Sequence, residues 1–283
     1  MHEREQPFAE WLGRTETVTD FIAPAPALMA AATLDDTESR FVAGVDLPPL
    51  WHWFYFLPKA PQSRIGPDGH PARGGFMPPI PLPRRMFAGG RLTFHRPLVI
   101  GRSAEREGVI TSIAEKSGKS GTLAFVTVAY TFSQDGDVCI TEEQDIVYRD
   151  ESAEVVPAPP VVEPPVPPAG SWHRTIQPDP VLLFRFSALT FNGHRIHYDR
   201  TYATEVERYP GLVVHGPLTA VLLMDLIRCN SDRAVNTFSF RGLAPLFDLA
   251  PFRLTGLAAD DTVTLQALGP DGKKAMTAEA SLR

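Results

Sequence analysis

Seven prolines crowd between Ser152 and Gly170 (SAEVVPAPPVVEPPVPPAG), and no other stretch restricts the chain so firmly. Proline lacks a backbone N–H and has a fixed φ, so such a run neither continues a helix nor pairs as a central strand. It predicts a semi-rigid extended linker over 152–170. Residues 1–151 and 171–283 remain on either side, each long enough for one domain. A second proline-rich segment, Pro48 to Pro83, also carries glycine and the aromatic block Trp51, Trp53, Phe54, Tyr55 and Phe56. Rings of this size need burial, which favours an ordered irregular cover over the first domain; a disordered arm is the alternative.

From Gly90 to Arg149 the residues alternate and are rich in β-branched types, with turn chemistry at Gly118, Gly121 and Asp135-Gly136. This predicts an antiparallel meander. The second half repeats the theme with strands over Phe238–Phe247, Phe252–Leu257, Asp261–Leu268 and Ala275–Leu282, the last two joined by a GPDGKK turn. Two helical signals precede these strands, Arg195–Glu207 and Pro217–Cys229 (PLTAVLLMDLIRC). The latter is apolar nearly all round and must be a buried helix wrapped by sheet. One apolar helix in the palm of a curled antiparallel sheet is the hotdog arrangement. Two copies, the first with a degraded helix, make the expected class α+β, a double hotdog.

Lys plus Arg number 27 against 33 Asp plus Glu, a net charge of −6, so no global positive field gathers nucleic acid or an anionic membrane. An anionic ligand has to be met by local cations. Cys139 and Cys229 lie outside any CxxC and make neither a disulfide framework nor a cysteine-rich zinc site, which fits a reducing compartment. No apolar run approaches a membrane span, and the start (MHEREQPFAEWLG) is charged and amphipathic. A cytoplasmic protein is expected.

Three histidines, His194, His197 and His215, fall within 22 residues of the second domain (HRIHYDRTYATEVERYPGLVVH), and Gly216 follows the last of them. Here the chain resembles the MaoC-like (R)-specific enoyl-CoA hydratases, and among them the type 2 hydroxyacyl-thioester dehydratase branch. The motif of that family runs aspartate, any residue, asparagine, proline, aliphatic residue, histidine, with a His-Gly pair downstream opening the central helix. Asn192 stands at the aspartate position, His194 at the asparagine, Arg195 at the proline, Ile196 at the aliphatic residue and His197 at the histidine. His215 and Gly216 match the His-Gly pair. LPRRMFAGGRLTF, EKSGKSGTLAFVTV and EEQDIVYR resemble the degenerate first hotdog of the same branch. Asn192 departs from the pattern: an amide accepts no proton at ordinary pH, so the acid/base pair of the family is not intact in these positions.

The resemblance implies a hydro-lyase that needs no cofactor or metal and adds water to the double bond of a short acyl-CoA. Such a reaction requires a base for the water, donors for the developing enolate oxygen and an acid for the neighbouring carbon. His197, titrating near neutrality, is the candidate base, with the Asn192 oxygen holding the water. His194, three residues away, is placed to share a face with His197 and return the proton. Gly216 offers its amide and the positive end of the buried helix to the thioester carbonyl. His215 either lines the substrate site or only packs and caps. The branch includes hydratases of five-carbon dicarboxylic acyl-CoA esters, so itaconyl-CoA or 3-methylfumaryl-CoA, giving citramalyl-CoA, are the expected substrates. Their free carboxylate calls for an arginine, with Arg84, Arg85 and Arg195 as candidates. Arg241, Lys116 and Lys119 are candidates for the CoA phosphates.

Other readings remain. The three histidines could make a zinc tripod, although their apolar surroundings suit a thioester better. A dehydratase of broader chain specificity is one alternative function. A thioesterase would need a carboxylate aimed at the carbonyl, and the nearby acids Asp199 and Asp225 form no recognisable arrangement. A non-catalytic acyl-CoA sensor would be expected to carry a DNA-binding element, and none is visible. Two hotdogs in one chain can form the paired unit by themselves, so either a monomer or a homodimer is compatible.

Overall fold

The computed structural model describes residues 8–118, 121–150, 155–162 and 168–283. Ten strands form one antiparallel sheet in the order β1-β3-β4-β5-β2-β7-β10-β9-β8-β6. In the first half these are β1 (Thr15–Phe21), β2 (Arg84–Phe94), β3 (Ser103–Gly118), β4 (Gly121–Gln134) and β5 (Asp137–Arg149). The second half supplies β6 (Trp172–Ile176), β7 (Val235–Gly242), β8 (Phe252–Ala259), β9 (Thr262–Leu268) and β10 (Lys274–Leu282). The alternating runs of the sequence therefore became strands, because a side-chain period of two buries one face of each. The double hotdog class is what the structure has.

The halves meet where β2 pairs with β7, Gly90 opposite Phe240. A Cβ on Gly90 would lie 2.9 Å from the Phe240 ring, so only glycine lets the two strands close at that seam. The main hydrophobic cluster runs across it, joining Trp51, Phe54 and Phe132 of the first half to Phe186, Leu223 and Phe238 of the second.

The apolar run became α3 (Gly216–Arg228), ten of whose thirteen residues are buried against β6, β8, β9, β10 and β2. Two further helices, α1 (Pro24–Leu34) and α2 (Pro180–Leu189), pack on each other. In α2 the carboxylate of Asp179 accepts from the N–H groups of Val181 and Leu182, with Pro180 opening the helix. The helix expected over Arg195–Glu207 is not continuous. A single 3₁₀ turn, Arg195–His197, is followed by a separate wide turn, Tyr202–Val206, because the Asp199 carboxylate caps the latter at the Tyr202 N–H and starts the chain afresh.

The Pro48–Pro83 segment is the ordered cover: Trp51, Phe54 and Phe56 are each about fully buried, and Ile65 bridges to Pro71. Of the linker, Val156 donates to the Arg208 carbonyl and Val162 to that of Pro270, so the described part lies along the second half. Among the described residues no helix is long and apolar enough to cross a membrane.

Candidate active site

The motif residues hang on a short chain of local bonds. The Asn192 side-chain oxygen accepts from the His194 N–H at 3.0 Å, an Asx turn that presents the next residues as the 3₁₀ turn. The Ile196 carbonyl then takes the Val213 N–H, which ties this turn to the segment leading into α3. As a result the imidazoles stack in a row. His197 lies face to face with His215 at 3.6 Å between ring centroids, and His194 meets His197 edge-on at 5.4 Å.

His197 Nδ1 is 2.7 Å from the Val213 carbonyl oxygen, which only accepts; Nδ1 therefore carries the proton and Nε2 keeps its lone pair for the cleft that His197 lines. The expectation that His197 titrates near neutrality does not survive. Burial, reinforced by His194, pushes it down to about 3. Burial brings His194 to about 3 as well. His215 is wholly buried, its Nε2 2.8 Å from Ser187 Oγ and its ring against Phe186, and it does not reach the cleft. Burial keeps it neutral too, and it serves as the floor on which His197 rests.

Gly216 opens α3 and lines the cleft, and its N–H meets no acceptor among the described residues. Pro217 follows with no N–H of its own, so the first turn of α3 points a bare amide and the positive helix end into the cleft. A side chain at Gly216 would touch the Phe87 carbonyl of β2 at 3.6 Å, so this helix end sits directly at the seam of the halves.

The three arginines proposed for a substrate carboxylate are separated by the structure. Arg84 is buried and spent on Glu207, with Nε 2.9 Å from its carboxylate and Nη2 donating to its carbonyl. Arg195 is paired with Asp199 and donates to the Pro67 carbonyl, which makes it a brace for the loop rather than a wall of the cleft. Arg85 alone has no carboxylate partner among the described residues, lines the cleft, and shares a small recess with Asp68 and His194. Arg241 is exposed on β7, and Lys116 is exposed beside the Phe125 ring; neither lines the cleft. Lys119 lies outside the described residues. Exposed Lys59 and Arg208 do lie on the cleft lining.

Two residues that the sequence reading passed over complete the cluster. The loop GPDGHP brings Asp68 and His70 against the motif: the His70 ring is 4.1 Å from that of His194, and Asp68 Oδ2 is 3.0 Å from His70 Nδ1. The Asp68 carbonyl accepts the Arg195 N–H. This contact demands glycine on both sides. Gly69 has φ +92°, and a Cβ there would stand 1.8 Å from the Gly193 carbonyl oxygen. Although burial alone would raise the Asp68 carboxyl, its hydrogen bonds from His70 outweigh that and hold it at about 2.

A cleft floored by neutral imidazoles, closed at one side by a bare helix end and lined by rings such as Trp53 and Phe87, is fit for adding or removing water next to an acyl thioester carbonyl. A hotdog hydro-lyase is the class that fold and site define. The comparisons agree. Residues 50–248 match the family model for hydroxyacyl-thioester dehydratase type 2, and the chain belongs to that family. It is 61% identical, over 96% of both chains, to the mesaconyl-C(4)-CoA hydratase of Chloroflexus aurantiacus. It is 29% identical, over 83% of this chain and 87% of the other, to the mitochondrial hydroxyacyl-thioester dehydratase type 2 of Schizosaccharomyces pombe. Among solved structures, a MaoC-like dehydratase superposes with a TM-score of 0.71 at 17% identity, over 96% of this chain and 98% of that one. A Mycobacterium tuberculosis protein described as a double hotdog gives 0.60 at 14% identity, over 96% of both.

Proposed function

We propose that this hydro-lyase hydrates 3-methylfumaryl-CoA, the mesaconyl thioester with CoA on C4, to citramalyl-CoA. The observation that carries this reading is Arg85, a cleft-lining guanidinium that shares a recess with His194 and has no carboxylate partner among the described residues, whereas the other two candidates, Arg84 and Arg195, are paired with Glu207 and Asp199. In this substrate the carbon that receives the hydroxyl bears the methyl group and the free carboxylate. The carboxylate must therefore sit beside the attacking water and the imidazoles, and Arg85 shares its recess with His194. The relative at 61% identity carries the name of the same reaction, which supports the choice.

In the proposed mechanism Nε2 of neutral His197 takes hold of the water and begins its deprotonation, with His194 beside it to pass the proton on. Asn192 fixes the turn that aims both rings; its oxygen is already engaged by the His194 N–H, so orientation of the turn replaces the direct hold on water expected from the sequence. As the C–O bond forms, the π pair moves onto the thioester oxygen, where the Gly216 N–H and the end of α3 receive it. Itaconyl-CoA has its double bond out of conjugation with the thioester and would need a proton shift first, so it is the poorer substrate.

The test is an assay of 3-methylfumaryl-CoA against crotonyl-CoA, following loss of the conjugated absorbance, product mass and free thiol. Gain of one water without thiol release, at a kcat/KM well above that for crotonyl-CoA, is the expected result. Faster turnover of crotonyl-CoA would reject the dicarboxylate assignment, and thiol release would reject hydration.

A further inference from the structure

We propose that Asp68 and His70, contributed by the first half of the chain, supply the carboxylate-backed imidazole that carries the water's proton in this hydratase, in place of the acid lost at Asn192. This deepens the hydratase reading above and rests on it.

Removing a proton from water puts a positive charge into the imidazole row, and that charge needs a counter-ion. His197 leans on a neutral carbonyl, and His215 leans on a hydroxyl. His194 donates its backbone N–H to Asn192, and no carboxylate bonds its ring. His70 is the one imidazole of the group bonded to a carboxylate, at 3.0 Å. Because ionised Asp68 only accepts, His70 Nδ1 carries the proton and Nε2 is left as a lone pair on the side away from Asp68. One ligand atom each from Asp68, His70 and His194 lie within 4.8 Å of one another, a span that one water bridges. The Gly69 and Gly193 backbones pack so closely that neither has room for a Cβ, which fixes the Asp68 loop against the histidine turn.

The step balances with water alone. The O–H bond of water breaks, its oxygen bonds the carbon bearing the carboxylate, and the proton taken by His197 Nε2 is handed from that same nitrogen through water beside His194 to Nε2 of His70, where Asp68 stabilises the imidazolium. When the enolate collapses, the same proton forms the C–H bond next to the thioester carbonyl, and His70 is neutral again. The charged and titratable groups facing His70 are Asp68, Arg73 and Arg85, with the His194 ring packed against it. Burial and the two arginines lower His70 in the free protein, while Asp68 opposes them. A substrate carboxylate on Arg85 cancels part of that cation, so this relay responds to a dicarboxylic substrate more than to a plain one.

The same three ligand atoms invite a metal ion, but a metal would have to displace the hydrogen bond between Asp68 and His70. The experiment therefore compares Asp68→Asn, Asp68→Glu and His70→Gln in the full chain, on 3-methylfumaryl-CoA and on crotonyl-CoA, together with the metal content of the purified protein. The expected result for Asp68→Asn and His70→Gln is a fall in kcat of about 100-fold or more, the usual contribution of an acid/base group, with KM changed by less than about threefold. A larger solvent deuterium effect is expected in both, and Asp68→Glu should recover at least a tenth of the wild-type kcat. Folded variants, judged by an unchanged melting transition, that keep kcat within threefold would overturn the proposal. So would stoichiometric zinc whose removal abolishes wild-type turnover. If the wild type hydrates only crotonyl-CoA, the substrate assignment fails while the variants still decide the relay. Wild-type inertness on both thioesters would sink the two together.

Discussion

Replacing Arg85 with Gln removes a cation and leaves the fold alone, since the Arg85 side chain makes no ion pair or hydrogen bond among the described residues. Its cost can be worked from the site. Arginine opposite a carboxylate makes charge-assisted hydrogen bonds, and truncating one partner of such a pair costs about 2–5 kcal/mol. Arg85 is half-buried in a recess against Asp68 and His194, so bulk water screens it incompletely, and about 3 kcal/mol is a fair central value. That corresponds to a fall of about 150-fold in kcat/KM for 3-methylfumaryl-CoA. The carboxylate is present in ground and transition states alike, so most of the loss belongs in KM. Crotonyl-CoA has no carboxylate, and its kcat/KM should stay within about threefold of the wild type. Arg85→Lys should recover part of the loss, because it restores a point charge without the planar fork. The assay is loss of enoyl-thioester absorbance over a range of substrate concentrations for both thioesters. An equal fall on the two substrates, or no fall on the dicarboxylic one, would refute the reasoning that Arg85 reads the carboxylate.

His197→Gln keeps a hydrogen-bonding side chain at the Val213 carbonyl but removes the free Nε2, so kcat should drop by about 100-fold or more while the melting transition moves little; retained turnover would remove His197 from the reaction. Stability should fall in acid: His194, His197 and His215 are held neutral by burial, so below pH 6.5 the unfolded chain binds protons that the folded chain refuses. The loss should begin near pH 6.5 and continue toward about 3, at about 1.4 kcal/mol per pH unit for each histidine; urea titrations from pH 7.5 to 4.5 that show a flat profile would contradict this. Gly69→Ala should lower the melting temperature and turnover together, because its Cβ overlaps the Gly193 carbonyl and drives the Asp68 loop off the histidines; unchanged values for both would show that the contact is slack.

Much of this architecture can be read locally. The strands from Gly90 to Arg149 announce themselves because alternation is a property of neighbours, and PLTAVLLMDLIRC is so evenly apolar that only burial suits it. Other elements speak less clearly. The run PAPALMAAATL of α1 opens with two prolines and reads as loop, although proline at the first helical positions costs nothing. The Asp179-Pro180 pair before PVLLFRFSAL was a usable start signal for α2, with the carboxylate able to cap and the proline pre-set for the first turn. Within the site, His194 and His197 were marked by spacing, and Gly216 by its place before an apolar helix. Which arginine stays free could not be read at all. Arg84 and Arg85 are adjacent in sequence, yet one is neutralised by Glu207 and the other is not, because strand alternation sends them to opposite faces of β2.

From its residues alone, then, the chain was bound to make antiparallel strands in both halves, to bury one helix and to set histidines at the mouth of that helix; only the tertiary structure joined the two sets of strands into one sheet through β2 and β7. Folding decided the protonation of those histidines and the company they keep. Burial strips the rings of the proton that their ordinary pKa would predict, and GPDGHP, a plain turn by composition, becomes part of the site only because the backbones of Gly69 and Gly193, 124 positions apart, meet. Desolvation and long-range contact are sums over groups distant in sequence, so no local pattern can encode them.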